Sequence, residues 1–302
     1  MNEKLKILKK NTLILWLWNE RRRKKGIKNF NKINDEEFIK NFYYKSFNKE
    51  IDLKNPKTFN EKLNWLKLNC KNKAATQCAD KYEVRRYIEN KGYGYILNEL
   101  FGVYESVKDI DIDKLPKKFV LKATHGSGWN LIVNDKNKIN WIMWKLIIKS
   151  WLKQNFYYYG REWVYRDIKP RIVCEKFLSD SNNELLDYKI YCFNGIPKFI
   201  QVDVDRFTNH TANYYDIEWN ILNFQYDDEN SGRILKKPKT LNEMIKISKD
   251  LSSEFEHVRI DFYEVDGKLY FGEMTFFTAS GTGKFNPEEY DKILGSWLTL
   301  NN

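Results

Sequence analysis

Cysteine is scarce in this 302-residue chain. Cys70, Cys78, Cys174 and Cys192 are the four present, and no two form a C-x-x-C pair. Each sits in an apolar, helix-like or strand-like context. That reads as buried reduced thiols and leaves no zinc cluster or disulfide framework to organise the fold. No apolar run approaches the length of a membrane span. No N-terminal stretch has a signal peptide's order of charge, apolar core and cleavage site. A reducing cytoplasm is the expected setting. Internal repeats and low-complexity tracts are also missing, beyond an enrichment in Lys, Asn and Ile. What remains is a soluble, globular composition, with 31% charged and 42% hydrophobic residues. The length allows one large core or two to three small lobes. Aromatics reach 16% and recur inside periodic segments, as core and cleft lining would.

The net charge of +11 is unevenly spread. Residues 1–28 hold ten lysines and arginines against Glu3 and Glu20, so the other residues are close to balanced. The basic character belongs to the N-terminus and not to the rest of the chain. Between its basic clusters lies the run Leu13, Ile14, Leu15, Trp16, Leu17, Trp18. Two readings fit. One is an interfacial helix on the inner face of an anionic membrane, with Trp at headgroup level. The other is a first helix that packs its apolar face on the domain and turns its charge to water. Nucleic acid is not expected as a partner, because no recognisable binding module surrounds the basic cluster.

Four regions follow from the patterning. Residues 1–30 form the basic and apolar N-terminal helix. Residues 31–115 read as mainly helical. Apolar periodicity follows Asp35, Thr58 and Glu61 make a capping-box pattern, and another helix begins at Asp80-Lys81-Tyr82. Residues 116–178 contain strands at 119–122, 131–133 and 171–175, with a long aromatic helix at about 138–156. Residues 179–302 are strand-rich. Strands at Asp187–Phe193 and 198–204 flank Asn194-Gly195, a hairpin signal. Thr240 and Glu243 make a second capping-box pattern. Its helix places Met244, Ile247, Leu251 and Phe255 on one stripe.

The strongest chemical signal is the stretch 258–277, VRIDFYEVDGKLYFGEMTFF. It reads as a β-hairpin bearing the carboxylates Asp261 and Glu273. Loop parity decides whether they can meet. A two-residue loop at Asp266-Gly267 puts them on opposite faces of the sheet. A three-residue loop, 265–267, with Gly267 left-handed in a G1 bulge, puts Arg259, Asp261, Glu273 and Thr275 on one face. Two carboxylates on one face repel unless a cation lies between them, and Mg²⁺ prefers such oxygen ligands. The competing reading is a solvated charged face.

A second element is FVLKATHGSGWN at 119–130. A strand ends in Lys122, and His125, Gly126, Ser127 and Gly128 follow. Glycine lets backbone N–H groups approach phosphates. This is not a Walker A loop, because the lysine precedes the glycines and a strand follows them. It fits a flap over ATP, or an ordinary hairpin turn. A third element is the strand end Glu175, Lys176, Phe177, Leu178, which can present backbone groups to an adenine edge. Read alone, it is a buried strand with an exposed end.

The order of these pieces resembles the ATP-grasp superfamily: Asp80-Lys81, then Lys122 with its glycine loop, then Glu175–Leu178, then Asp261, Glu273 and Thr275. The chain looks most like its TupA-like, teichuronopeptide-biosynthesis branch, over about residues 55–295. The stretches that carry this are 55–63, 122–130, 161–163, 170–172, 186–195, 205–206, 259–261 and 271–276, with Ser280-Gly281. The resemblance implies an α+β fold with two lobes that grip ATP between antiparallel sheets. It implies an ADP-forming carboxylate–amine ligase that works through an acyl phosphate. Lys81 and Lys122 would neutralise the α- and β-phosphates. Asp261 and Glu273 would hold Mg²⁺, with Thr275 where the family has Asn. Arg259, Arg206 and Lys189 would hold phosphate or substrate carboxylate. The expected partners are a small-molecule or carrier-linked sugar carboxylate and an amine, in bacterial surface-polysaccharide biosynthesis. Trp129, Trp163 and Tyr188 are candidates to stack on a sugar, or core residues.

Two other readings stay open at this level. Asp203-Val204-Asp205 and Asp111-Ile112-Asp113 fit the D-x-D pattern of a metal-dependent glycosyltransferase. A sugar kinase would use the same ATP residues without an amine.

Overall fold

Alternating and 3.6-periodic segments settle into an α+β arrangement in the computed structural model, which describes residues 12–30, 32–179, 185–205 and 210–301. In chain order the longer helices are α1 (Thr12–Phe30), α2 (Asp35–Phe47), α3 (Phe59–Asn69), α4 (Lys73–Ala79), α5 (Glu83–Asn90), α6 (Trp141–Leu152), α7 (Leu241–Ser252) and α8 (Glu289–Trp297). The main strands are β1 (Leu100–Tyr104), β2 (Phe119–Ala123), β3 (Asn130–Val133), β4 (Ile172–Lys176), β5 (Asp187–Phe193), β6 (Ile196–Val204) and β7 (Thr211–Asp216). The short β8 (Gln225–Tyr226) follows, then β9 (His257–Val265), β10 (Lys268–Thr275) and the short β11 (Phe285–Asn286).

The chain feeds two compact units from discontinuous segments. The first gathers the segment ending at Asn34, Thr76–Arg85 and Asn98–Phe177. The second gathers Asp35–Ala75, Arg86–Leu97 and the chain from Leu178 onward. Residues 31–115 therefore contribute to both units, and β1 adds a strand to a stretch whose pattern reads as helical.

In the first unit, four antiparallel strands lie in the order β1-β4-β2-β3. Alternation along β2 sends Phe119, Leu121 and Ala123 to one face and Val120 and Lys122 to the other. The apolar face meets Ile147, Ile148 and Trp151 of α6 and Leu15 of α1 in one core. Trp16 and Trp18 pack against that core as well, so the tryptophans of the first helix turn inward. Helix α6 starts at Trp141, later than the pattern suggests, because Lys136–Lys138 forms a 3₁₀ turn and Asn140 caps the Met143 amide at 3.2 Å.

In the second unit, five antiparallel strands run β10-β9-β5-β6-β7. Leu241, Met244, Ile247 and Leu251 of α7 are buried on one side of that helix, which packs on β5, β6 and β9. The other side of the sheet begins as an aromatic cluster. Phe59, Phe193 and His257 meet there, and Tyr191 stacks on Phe199 at 4.2 Å. Helix α3 begins with the expected capping box. Thr58 Oγ1 accepts from the Glu61 amide, and Glu61 accepts from the Thr58 amide at 3.0 Å. The second expected box does not form. Thr240 makes no side-chain cap to its helix, because its amide and hydroxyl both donate to Glu264, at 2.9 and 2.6 Å. Glu243 instead accepts from the Tyr95 hydroxyl at 2.7 Å.

Candidate active site

The first unit holds two candidate lysines and a glycine loop. Lys122 on β2 and Glu175 on β4 share a sheet face, because Glu175 stands opposite Val120. They form an ion pair at 2.7 Å, with Glu175 nearly buried. Lys81 reaches the loop that follows β2. Its amide donates to Thr124 O at 3.2 Å, and its ammonium donates to Gly126 O at 3.1 Å. Asp80 fixes that lysine in place. It accepts from the amides of Tyr82 and Glu83 at 2.8 and 3.3 Å, and from Arg171 at 2.8 Å. Desolvation raises the Asp80 pKa, opposed by those hydrogen bonds and the arginine.

Within the loop, Ser127 and Gly128 are exposed and Gly128 has φ +74°, while His125 and Gly126 are buried. A Cβ on Gly126 would fall 2.6 Å from Trp129, so only glycine passes beneath that ring. His125 turns inward, with Nε2 3.0 Å from Trp151 O and its ring near Trp129. Burial lowers its pKa to about 4. The loop thus offers its backbone and the Ser127 hydroxyl to a ligand, not the imidazole. At the strand end, the Lys176 amide donates to Glu99 O at 2.9 Å, and Asn98 donates to Lys176 O at 2.8 Å. Phe177 ends the last segment of the first unit, and Leu178 begins the last segment of the second.

The carboxylates of the second unit share a face by a route the sequence did not indicate. The β9–β10 turn has two residues, not three: Val265 pairs with Lys268, and Asp266 and Gly267 have φ +50° and +79°. Parity is restored further along. The register shifts between Phe271 and Glu273, so Gly272 is bulged and Glu273 pairs with Asp261. A Cβ on Gly272 would fall 2.9 Å from the Asp261 carbonyl oxygen. Arg259, Asp261, Glu273 and Thr275 therefore do share one face, but the bulge sits at Gly272 and not at Gly267.

Neighbouring strands extend that face. Lys189 pairs with Asp261 across β5–β9, and Asp187 pairs with Asp203 across β5–β6. The Lys189 ammonium contacts Asp187, Asp261 at 3.2 Å and Asp203 at 3.3 Å. Arg259 forks onto both Asp261 oxygens at 2.6 and 2.7 Å, donates to Thr275 Oγ1 at 3.2 Å and lies 3.5 Å from Glu273. Tyr191 donates to Gln201 at 2.7 Å, and Gln201 donates to Asp203 at 2.8 Å. His210 lies between Asp203 and Asp228, at 3.3 and 3.2 Å.

These groups tune one another. Burial works against the Lys189 ammonium, but Asp187, Asp261 and Asp203 outweigh it and raise its pKa. Arg259 is held charged against burial by Asp261 above all. Burial raises the Asp261 pKa, opposed by Arg259 and Lys189, and the two-point arginine fork is the geometry of an ionised carboxylate. The neighbouring Asp203 and Asp228 carboxylates push His210 up to about 9.

The donor chemistry fits a divalent cation. Asp261 and Glu273 offer hard carboxylate oxygens on one face, and Thr275 Oγ1 donates to Glu273 at 3.4 Å. Asp187, Asp203, Asp261 and Glu273 outnumber Lys189, Arg259 and the cationic His210 by one, which leaves room for positive charge. Among the described residues no three or more His, Cys, Asp or Glu side chains gather to hold a metal on their own. Substrate oxygens would have to complete the shell, as Mg²⁺ sites with phosphate ligands commonly require.

The other sequence candidates fall as follows. Arg206 lies outside the described residues. Asp203 is buried in the network, whereas the Asp205 side chain is about half exposed, so this D-x-D does not converge. Asp111 pairs with Lys114 at 3.1 Å in an exposed turn of the first unit. Trp129 and Trp163 are buried, and the buried Tyr188 lies 6.3 Å from Trp219. The sequence reading missed Gln201, His210 and Gly272. Gln201 and Asp203 alternate on β6 as Asp187 and Lys189 do on β5, and that period-two pattern was the available signal. His210 carried none.

The family model TupA-like ATPgrasp matches residues 61–299. The chain belongs to the TupA-like ATP-grasp family. No curated protein matches it. Solved structures that match include a D-alanine–D-alanine ligase from Bacillus anthracis complexed with ATP, at 18% identity, 66% of this chain, 53% of that one and TM-score 0.37. A phosphoribosylamine–glycine ligase from Thermotoga maritima matches at 16% identity, 67% and 48% coverage and TM-score 0.41. An L-amino acid ligase from Bacillus licheniformis matches at 15% identity, 68% and 42% coverage and TM-score 0.41. The chain spans about half the length of these structures.

Proposed function

We propose that this protein is an ATP-dependent carboxylate–amine ligase that acts on a uronic-acid-type sugar in bacterial surface-polysaccharide biosynthesis. The observation that carries the reaction class is the charged face of the five-stranded sheet. Lys189 and Arg259 are held cationic there beside Asp261 and Glu273. Family membership supports the same class and is the ground for the substrate class.

The division of labour follows the chemistry of each group. Lys81, Lys122 and the backbone of residues 125–128 suit the α- and β-phosphates. The Glu175–Leu178 stretch suits the adenine edge. Asp261 and Glu273 would hold Mg²⁺, which when bound offsets the charge on the β- and γ-phosphate oxygens. Arg259 and Lys189 suit the transferred phosphoryl group and the substrate carboxylate. A carboxylate oxygen attacks the γ-phosphorus, the bond to the β-phosphate oxygen breaks and ADP leaves. The amine then attacks the acyl carbon, the C–O bond to phosphate breaks, the nitrogen loses its proton, and amide and phosphate are released.

The test is ADP release with paired substrates, using uronic acids and amino acids or amino alcohols. A ligase releases ADP only when carboxylate and amine are both present. ADP release with a sugar alone would mean a kinase, and turnover of a nucleotide-sugar without ATP would mean a glycosyltransferase. Glu273→Gln should lower ADP release by about 10²-fold or more. A fully active Glu273→Gln protein would sink the metal assignment.

A further inference from the structure

The first helix packs its tryptophans inward, yet it keeps a second apolar strip on the outside. Leu13, Ile14 and Leu17 are 52%, 43% and 40% exposed. On the same outward side, the C-terminal half of α1 continues with the exposed Arg21, Lys24 and Lys28. Helix α6, which packs against α1, repeats the pattern. Ile142 and Leu146 are 80% and 42% exposed, and Lys145 and Lys149 stand exposed beside them. Two adjacent helices thus pair an outward apolar strip with outward lysines and arginines.

Acidic charge is missing from both helices except at Glu20. That carboxylate is spent on Arg23 at 2.8 Å and on the Ser150 hydroxyl at 2.7 Å, which joins α1 to α6. We infer that the outward faces of α1 and α6 form one docking surface for an anionic lipid bilayer. The apolar residues would enter the headgroup boundary, and the basic residues would meet lipid phosphate. Charge complementarity selects this occupant. A second copy of the chain docking by the same face would set lysine against lysine across a two-fold axis. A nucleic acid backbone would leave Leu17, Ile142 and Leu146 unburied. No helix among the described residues is long and apolar enough to cross a membrane, so the contact would lie on the surface. This inference is independent of the ligase reading. It differs from the expectation for residues 1–28 in two respects: the tryptophans are withdrawn from the surface, and α6 is half of it.

The test is co-sedimentation of the full chain with vesicles of phosphatidylcholine alone or mixed with phosphatidylglycerol. Binding should require phosphatidylglycerol and weaken with salt. Ile142→Glu with Leu146→Glu, and separately Lys145→Glu with Lys149→Glu, should each lower it about tenfold or more. Both pairs are exposed, and unchanged far-ultraviolet circular dichroism and melting temperature would show that the fold persists. The inference is overturned if phosphatidylglycerol makes no difference, or if both variants bind like wild type. It is equally overturned if the substitutions abolish self-association in a protein that ignores vesicles.

Discussion

The four-stranded sheet of the first unit is apolar under α1 and α6 and carries the Lys122–Glu175 ion pair on its other face. The five-stranded sheet of the second unit is apolar under α7. Its other side grades from stacked aromatics to a buried network of Asp187, Lys189, Asp203, Asp261 and Arg259. Both sheets separate their faces by period-two alternation. They differ in how much charge they hold out of water. A single ion pair, even with Glu175 buried, sets few charges against one another. A buried network is costly unless every member has a partner, and its retention points to chemistry rather than to stability.

Removing the central cation should expose that difference most strongly. Lys189→Met leaves Asp187, Asp203 and Asp261 facing one another, and urea unfolding should show a loss of about 3–5 kcal/mol. Lys122→Met leaves one largely buried carboxylate, and should cost less, about 1–3 kcal/mol. Equal losses would break the contrast. Glycines give the next test. Gly272→Ala drives a methyl into the Asp261 carbonyl and should destabilise by about 2–3 kcal/mol in thermal melts, while also disturbing the carboxylate register. Gly128→Ala meets no atom and pays only for φ +74°, about 1 kcal/mol.

The remaining effects come from pH and have opposite signs. His125 in the first unit is lowered to about 4 by burial. The unfolded chain then binds the extra proton first, so this stability is present above about pH 6.5 and is lost as pH falls towards 4. Buried His257 of the second unit, lowered to about 3, acts in the same direction. His210 is raised to about 9 by Asp203 and Asp228, so its contribution is present below about pH 6.5 and is lost as pH rises through 9. His210→Gln should flatten the alkaline limb of a melting-temperature profile and leave the acid limb in place. An unchanged alkaline limb would remove His210 from the network.

Much of this was legible in residue order. The alternation of β2, β5 and β9, the Thr58–Glu61 box and the Asn194-Gly195 turn are local signals, and each element formed within a few residues of its pattern. Lys81, which meets the glycine loop at Thr124 O and Gly126 O, was expected there only through the family resemblance. The bulge could not be placed from residue order. A shift of one residue at Gly272 or at Gly267 produces the same side-chain parity, and only the close approach to the Asp261 carbonyl distinguishes them. The second capping box misled because Glu264, distant in sequence, took the Thr240 donors. His210 joined the network through a pairing that no local pattern encodes.

The contrast between the sheets rests on Asp261 and Glu273 forming a cation and phosphate site. Calorimetric titration of ATP into wild type and Glu273→Gln, each with and without Mg²⁺, tests this most directly. The account predicts that Mg²⁺ strengthens ATP binding to wild type and that this gain is lost in the variant, while metal-free binding through the first unit's lysines persists in both. An identical Mg²⁺-dependent gain in both proteins would contradict it.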